Sequence, residues 1–157
     1  TSPTKGELAF REVVGEISAF IEDDPERTYK LIVGTDSEEH QDVDFVSVIV
    51  VHRVGKCARY FWIKMREDRM NSLRQRIYHE ATLSLALARE LTEGVGESLN
   101  GYLICGICQL EVHVDIGQFG ETRDMIKEIV GMILGSGFEV KIKPESYAAS
   151  SVADKHV

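Results

Sequence analysis

Four carboxylates stand out by position. Asp36 closes the run Leu31-Ile-Val-Gly-Thr-Asp36-Ser37, where β-favouring apolar residues give way to a Gly and then an acid. Asp115 repeats the pattern: Leu110, Val112 and Val114 share one face of a strand, Glu111, His113 and Asp115 share the other, and Ile116-Gly117 follows. Glu80 lies on a helical seam with Leu73, Ile77, Ser84, Leu87 and Leu91, at alternating four- and three-residue spacing. A lone carboxylate on such a seam costs several kcal/mol unless a cation, a proton or a metal accompanies it. Asp154 falls in a last helix whose Ala148, Ala149, Ser150, Ser151 and Ala153 are small enough for close approach to a sheet. Carboxylates delivered by strand tips and facing helices, with no Cys/His cage, suit a hard divalent cation such as Mg²⁺ or Mn²⁺. Four acids without counter-charge repel one another, so two ions are plausible. A two-metal carboxylate site serves phosphodiester cleavage.

Each residue also has a plainer reading. Asp36 fits a polar turn, since Asp and Ser favour turns. Arg76, one turn before Glu80, is a candidate ion-pair partner. Asp154 fits an exposed helix end, and Lys143 fits either a phosphate contact or a solvated strand-end lysine.

The elements that must position these acids follow from periodicity. Residues 4–22 read as a helix with capping-box spacing at Thr4 and Glu7. Tyr29 to Thr35 reads as a strand with Asp36 at its tip, and residues 37–44 as a turn or short loop. Phe45 to Arg53 and Cys57 to Met65 read as strands joined at Val54-Gly55-Lys56. Asn71 is a candidate N-cap for a long helix over 72–93 ending near Gly94, and 94–108 is Gly-broken and hard to read. Leu110 to Asp115 is a strand and Thr122 to Leu134 a helix closed by Gly135 or Gly137. Phe138 to Lys143 is a strand, and Ser146 to His156 a helix. The expectation is a single α/β domain over 1–157, with an N-terminal helix within 1–25 and a core over 29–157. That core holds a mixed five-stranded sheet in the order β-β-β-α-β-α-β-α, with helices on both faces.

At 157 residues and 43% hydrophobic, the chain can bury one sizeable core. No apolar run is long enough to span a membrane, and no signal-peptide pattern is present. Three Cys without disulfide-type spacing fit a reducing interior, the cytoplasm by default. Net charge is −8, which argues against a general nucleic-acid coat. Residues 52–76 nonetheless hold eight Lys or Arg, Arg66, Arg69 and Arg76 among them, against Glu67 and Asp68. That strip is +6 on a body of −14, a pattern that suits a directed anionic ligand or a solvated face equally.

The segments His113-Val-Asp115-Ile-Gly117, Lys143-Pro-Glu-Ser-Tyr147 and Ala148-Ala-Ser-Ser-Val-Ala-Asp154-Lys resemble the bacterial YkuK-type family of the RNase H-like superfamily. The likeness covers nearly the whole chain from Tyr29 on. It implies the RNase H-like fold and metal-dependent cleavage of nucleic acid, RNA or DNA, with Asp36, Glu80, Asp115 and Asp154 matching the four superfamily carboxylates. Lys143, Arg66, Arg69 and Arg76 are the candidate substrate contacts. A non-catalytic nucleic-acid-binding module on the same scaffold is the rival reading. Cys105-Gly-Ile-Cys108 lacks a second pair at zinc spacing. Glu38, two residues after Asp36, departs from the usual acid of a phosphoaspartate site, and the chain is too short for the two domains of an actin-like ATPase.

Overall fold

Nearly continuous burial along the central strands requires a sheet covered on both faces, and this is what forms. The computed structural model describes residues 1–39, 42–68, 70, 72–93, 97–117 and 123–156. Helix α1 (Phe10–Glu22) precedes β1 (Tyr29–Glu39), β2 (Val43–Arg53) and β3 (Ala58–Glu67). Helices α2 (Leu73–Thr92) and α3 (Glu97–Ile104) lead to β4 (Cys108–His113). A 3₁₀ turn (Arg123–Met125) opens into α4 (Ile126–Gly135), followed by β5 (Glu139–Lys141) and a C-terminal π-helical segment (Ala148–Ala153). The sheet order is β3-β2-β1-β4-β5. β1, β2 and β3 form an antiparallel meander, and β4 and β5 run parallel to β1. The mixed five-stranded sheet of the α/β class is therefore the expected one.

Strand side chains alternate between the faces. Tyr29, Leu31, Val33, Ile49 and Val51 pack beneath α1, α2 and α4 with Ile17, Phe20, Ile77, Leu85, Leu91, Ile129 and Ile133. Ile32, Val46, Val48 and Val50 face the opposite way, against Ala148 and Ala153. The small residues of the C-terminal segment thus allow the close approach their sizes predicted. Arg53 is buried and binds α1 to the sheet: it donates to the Phe20 carbonyl (2.9 Å), Asp23 Oδ2 (2.9 Å) and the Tyr29 hydroxyl (2.9 Å), with its guanidinium 4.4 Å from the Phe20 ring centre.

Several boundaries differ from expectation for local reasons. β1 does not stop at Thr35. It runs on to Glu39, because β1 and β2 pair antiparallel as far as Glu39 and Val43, so residues 37–39 and 43–44 are strand and Asp36 sits inside β1, opposite Val46. α1 starts at Phe10, not Thr4, and its first turn is closed by Glu12, whose Oε2 accepts the Ala9 N–H at 2.7 Å. α2 is capped by Ser72, whose side chain accepts the Gln75 N–H at 3.2 Å; the candidate Asn71 cap and the Gly94 stop lie outside the described residues. The stretch after Gly96 is helical as α3. Thr122 also lies outside the described residues, and α4 is preceded by the 3₁₀ turn. Gly137, at φ 88°, ends α4: Phe138 N–H reaches the Ile133 carbonyl (3.3 Å) and Gly137 N–H the Leu134 carbonyl (2.9 Å), a left-handed cap that favours Gly. β4 runs Cys108–His113, two residues earlier than expected, and β5 is shorter than its apolar run, spanning Glu139–Lys141.

Candidate active site

The parallel pairing of β1 with β4 ends at Gly34 and His113. Beyond it β1 stays with β2, whereas the chain after His113 follows β5: Val114 N–H donates to the Lys141 carbonyl (2.9 Å) and Lys143 N–H to the Ile116 carbonyl (2.9 Å). Two adjacent parallel strands therefore part, and the crevice opens at their carboxyl ends, where open α/β sheets hold ligands. Asp36 and Asp115 each lie two residues past the last pair, on the same sheet face. Glu80 comes from α2 on the opposite face, and Asp154 from the turn after the C-terminal segment.

The four acids feel one another. Burial pushes Asp36 up to about 6; the Ser37 N–H, donating to Asp36 Oδ1 at 2.9 Å, pulls the other way, while the Asp115 and Asp154 charges push it further up and Lys143 opposes them. Glu80, only 6% exposed, is pushed up to about 8 by burial; the Ser37 hydroxyl lowers it, Asp36 and Asp115 raise it, and Arg76 lowers it. Arg76 thus acts on Glu80 as a charge, yet leaves it far above the ordinary carboxyl range. Ser37 Oγ donates to Glu80 Oε1 at 2.5 Å. Lys143 Nζ sits 3.0 Å from Asp115 Oδ2, while Asp115 Oδ1 is buried with no hydrogen-bond partner among the described residues. Asp154 is exposed.

The donor set fits a hard divalent ion in kind: four carboxylates, one with an orphaned buried oxygen and two whose ionisation is suppressed by burial and like charge. As the side chains stand, no group of three or more His, Cys, Asp or Glu among the described residues is arranged to hold a metal ion. Ser37 engages Glu80 and Lys143 engages Asp115 instead.

Of the other predicted contacts, Lys143 reaches the acids. Arg66 lies on the same sheet face, in the row Arg66–Asp44–Glu38 across β3, β2 and β1, and is paired with Asp44 at 2.7 Å. Arg69 lies outside the described residues. Much of the basic strip is engaged within the fold, with Arg53 on α1, Arg59 near Glu16 (3.6 Å), Lys64 and Arg66 on Asp44, and Arg74 on Glu128 (2.6 Å). Cys108 is buried in β4 with its thiol pushed up to about 12 by burial, whereas Cys105 is exposed.

Two supporting groups escaped the sequence reading. Ser37 read as a turn residue; its signal was strand alternation, which puts it on the α2 side of β1 next to the Glu80 seam. A buried network also ties β4 to the C-terminal segment. Lys30 Nζ meets Glu111 Oε1 at 2.7 Å, and His113 Nε2 lies 3.3 Å from Glu111 Oε2. His113 Nδ1 accepts the Ala148 N–H at 3.3 Å, so Nε2 carries the proton and donates to Glu111. Burial would raise Glu111, but Lys30 and His113 more than offset it and hold the carboxyl below its usual range. This network anchors the segment that leads to Asp154.

Comparison with known proteins gives two matches. A family profile described as Ribonuclease H-like matches residues 12–157. A Bacillus subtilis (strain 168) protein named "Uncharacterized protein YkuK" is 34% identical over 159 residues, covering 97% of this chain and 92% of the relative. No solved structure gives a significant match.

Proposed function

The chain belongs to the Ribonuclease H-like family, and from that premise we propose a divalent-metal-dependent nuclease that hydrolyses nucleic-acid phosphodiester bonds at Asp36, Glu80, Asp115 and Asp154. One observation carries this reading: carboxylates from four separate elements lie within electrostatic reach of one another where β1 and β4 part, so that Asp115 and Asp154 raise Asp36, and Asp36 and Asp115 raise Glu80. Structural acids are ordinarily satisfied by cations, as Asp44 is by Arg66 and Lys64; clustered acids with suppressed ionisation mark functional sites.

Asp36 and Asp115 would hold Mg²⁺ or Mn²⁺, with Glu80 and Asp154 completing the set for one or two ions. When bound, such ions activate water and stabilise the leaving oxygen of the phosphodiester. The chain's own groups do the rest. Ser37 orients Glu80 and fixes the Asp36 rotamer through its N–H. Glu80 holds a proton at neutral pH and releases it when positive charge enters the crevice. Lys143, half exposed beside Asp115, is placed to exchange that carboxylate for a substrate phosphate. The buried Lys30–Glu111–His113 network keeps the C-terminal segment, and so Asp154, over the crevice.

The test is Mn²⁺-dependent cleavage of a panel of RNA, DNA, hybrid and branched substrates. Wild type should cut at least one, and Asp36→Asn and Asp115→Asn should each lose at least about a hundredfold in rate, the loss of an essential group. Wild type that cuts nothing, with nucleic-acid binding that survives both substitutions, would instead identify a binding module on this scaffold.

A further inference from the structure

We propose that the Tyr60–Trp62 face of edge strand β3 is a stacking subsite for an unpaired nucleobase, occupied in the free protein by the chain's own His156 ring; the substrate class is then single-stranded nucleic acid. This rests on the nucleic-acid reading above and adds to it a surface outside the carboxylate cluster.

His156 lies flat on Trp62, with ring centres 4.0 Å apart and planes inclined by 10°, and Tyr60 sits 5.8 Å from Trp62 and 5.7 Å from His156. A parallel, face-on heteroaromatic ring on an indole is how a base stacks on a protein platform. All three residues are only partly buried. The imidazole is held there without full compensation, because its Nε2 is buried and has no hydrogen-bond partner among the described residues. A larger planar ring that keeps its polar edge in water would compete for the same face.

Position and charge agree with this. Lys64, Val46 and Asp36 form one row across β3, β2 and β1, and Trp62, Val48 and Gly34 form the next. Strand spacing puts Trp62 roughly 12 Å from Asp36 on the same sheet face, within reach of a short single strand. Beside the platform, Lys64 and Arg66 share the carboxylate of Asp44, at 3.0 and 2.7 Å, and both cations stay exposed enough to meet a phosphate. His156 is two residues from Asp154, so the occupied platform and the proposed site meet in one turn of chain.

Trp62 is the chain's sole tryptophan, so its emission reports this face directly. Metal-free protein in EDTA is titrated with end-labelled oligodeoxythymidylate and, separately, oligouridylate, following label anisotropy and tryptophan emission together. The subsite predicts saturable quenching on the same curve as anisotropy, with the two oligomers separating DNA from RNA preference. His156→Ala should bind several-fold tighter, and Trp62→Leu about tenfold weaker, with Trp62→Phe near wild type. Binding with unchanged emission, and Trp62→Leu as tight as wild type, overturns the subsite and leaves the nucleic-acid reading standing. If neither oligomer binds wild type or His156→Ala, the subsite also falls; cleavage of a duplex by the same preparation with Mn²⁺ then shows that the nuclease reading survives without it.

Discussion

Ser37 donates its hydroxyl to Glu80 across the end of β1 at 2.5 Å while its backbone N–H serves Asp36 at 2.9 Å. One small residue therefore couples the strand acid to the helix acid from opposite sides of the sheet. The arrangement depends on Asp36 lying within β1: pairing with β2 fixes the backbone on which Ser37 turns towards α2.

The first prediction concerns pH. Asp36 and Glu80 bind protons more tightly when folded, at about 6 and about 8, than at their ordinary 3.8 and 4.5. The stability they contribute is full below about pH 4 and is lost as pH rises through about 6 and then about 8. Asp44 has the opposite sign, since hydrogen bonds from Arg66 and Lys64 hold it well below the usual carboxylate range, so its contribution is lost only in strong acid. His113, which burial holds below its usual pKa, adds stability as pH rises to about 6.5; above that the melting temperature of metal-free protein in EDTA should fall, up to about pH 9. Glu80→Gln should remove the later part of that fall and raise the melting temperature at the alkaline end by about 3 °C, the equivalent of ~1 kcal/mol. A flat profile, or a Gln variant that melts like wild type there, contradicts the burial of an ionisable Glu80.

Lys143 gives the second. Its pair with Asp115 is half exposed, so Lys143→Met should change folding stability by under about 1 kcal/mol. The same substitution removes the cation that competes for Asp115, and the apparent Mn²⁺ affinity, measured by titration calorimetry, should rise several-fold. Unchanged or weaker Mn²⁺ binding would mean that Asp115 is not a ligand.

A third prediction follows from a buried hydroxyl network. Thr35 Oγ1 and Ser47 Oγ are 2.8 Å apart, and Ser84 Oγ donates to Thr35 Oγ1 at 3.0 Å, which joins β1, β2 and α2 one residue before Asp36 and one helical turn after Glu80. Thr35→Val deprives two buried hydroxyls of their partner and should lower stability to urea by about 1–3 kcal/mol. A midpoint unchanged from wild type would show that the three hydroxyls are not coupled.

The sheet was legible because its central strands are long, β-branched apolar runs, and Ile32, Val46 and Val48 had no alternative to burial on the second face. Asp36, Glu80 and Asp115 stood out because each interrupts an apolar pattern, whereas Asp154 stood out only by its small neighbours. What the sequence hid depends on tertiary partners. Asp36 looked like a strand tip because the acidic run after it resembles a loop; antiparallel pairing with β2 makes residues 37–39 strand instead. Arg53 looked like part of a basic ligand strip, yet the Phe20 carbonyl, Asp23 and the Tyr29 hydroxyl draw it inside. Ser37 carried no local signal beyond alternation. The stacking of His156 on Trp62 joins residues far apart in the chain, and no local pattern encodes it.

The most direct measurement is anomalous diffraction from crystals of the wild-type protein soaked in Mn²⁺. An anomalous peak is expected within coordination distance of both Asp36 and Asp115, with Lys143 moved off the Asp115 carboxylate. No peak near either acid at saturating Mn²⁺, with the Lys143–Asp115 and Ser37–Glu80 contacts intact, would contradict a metal site at these carboxylates.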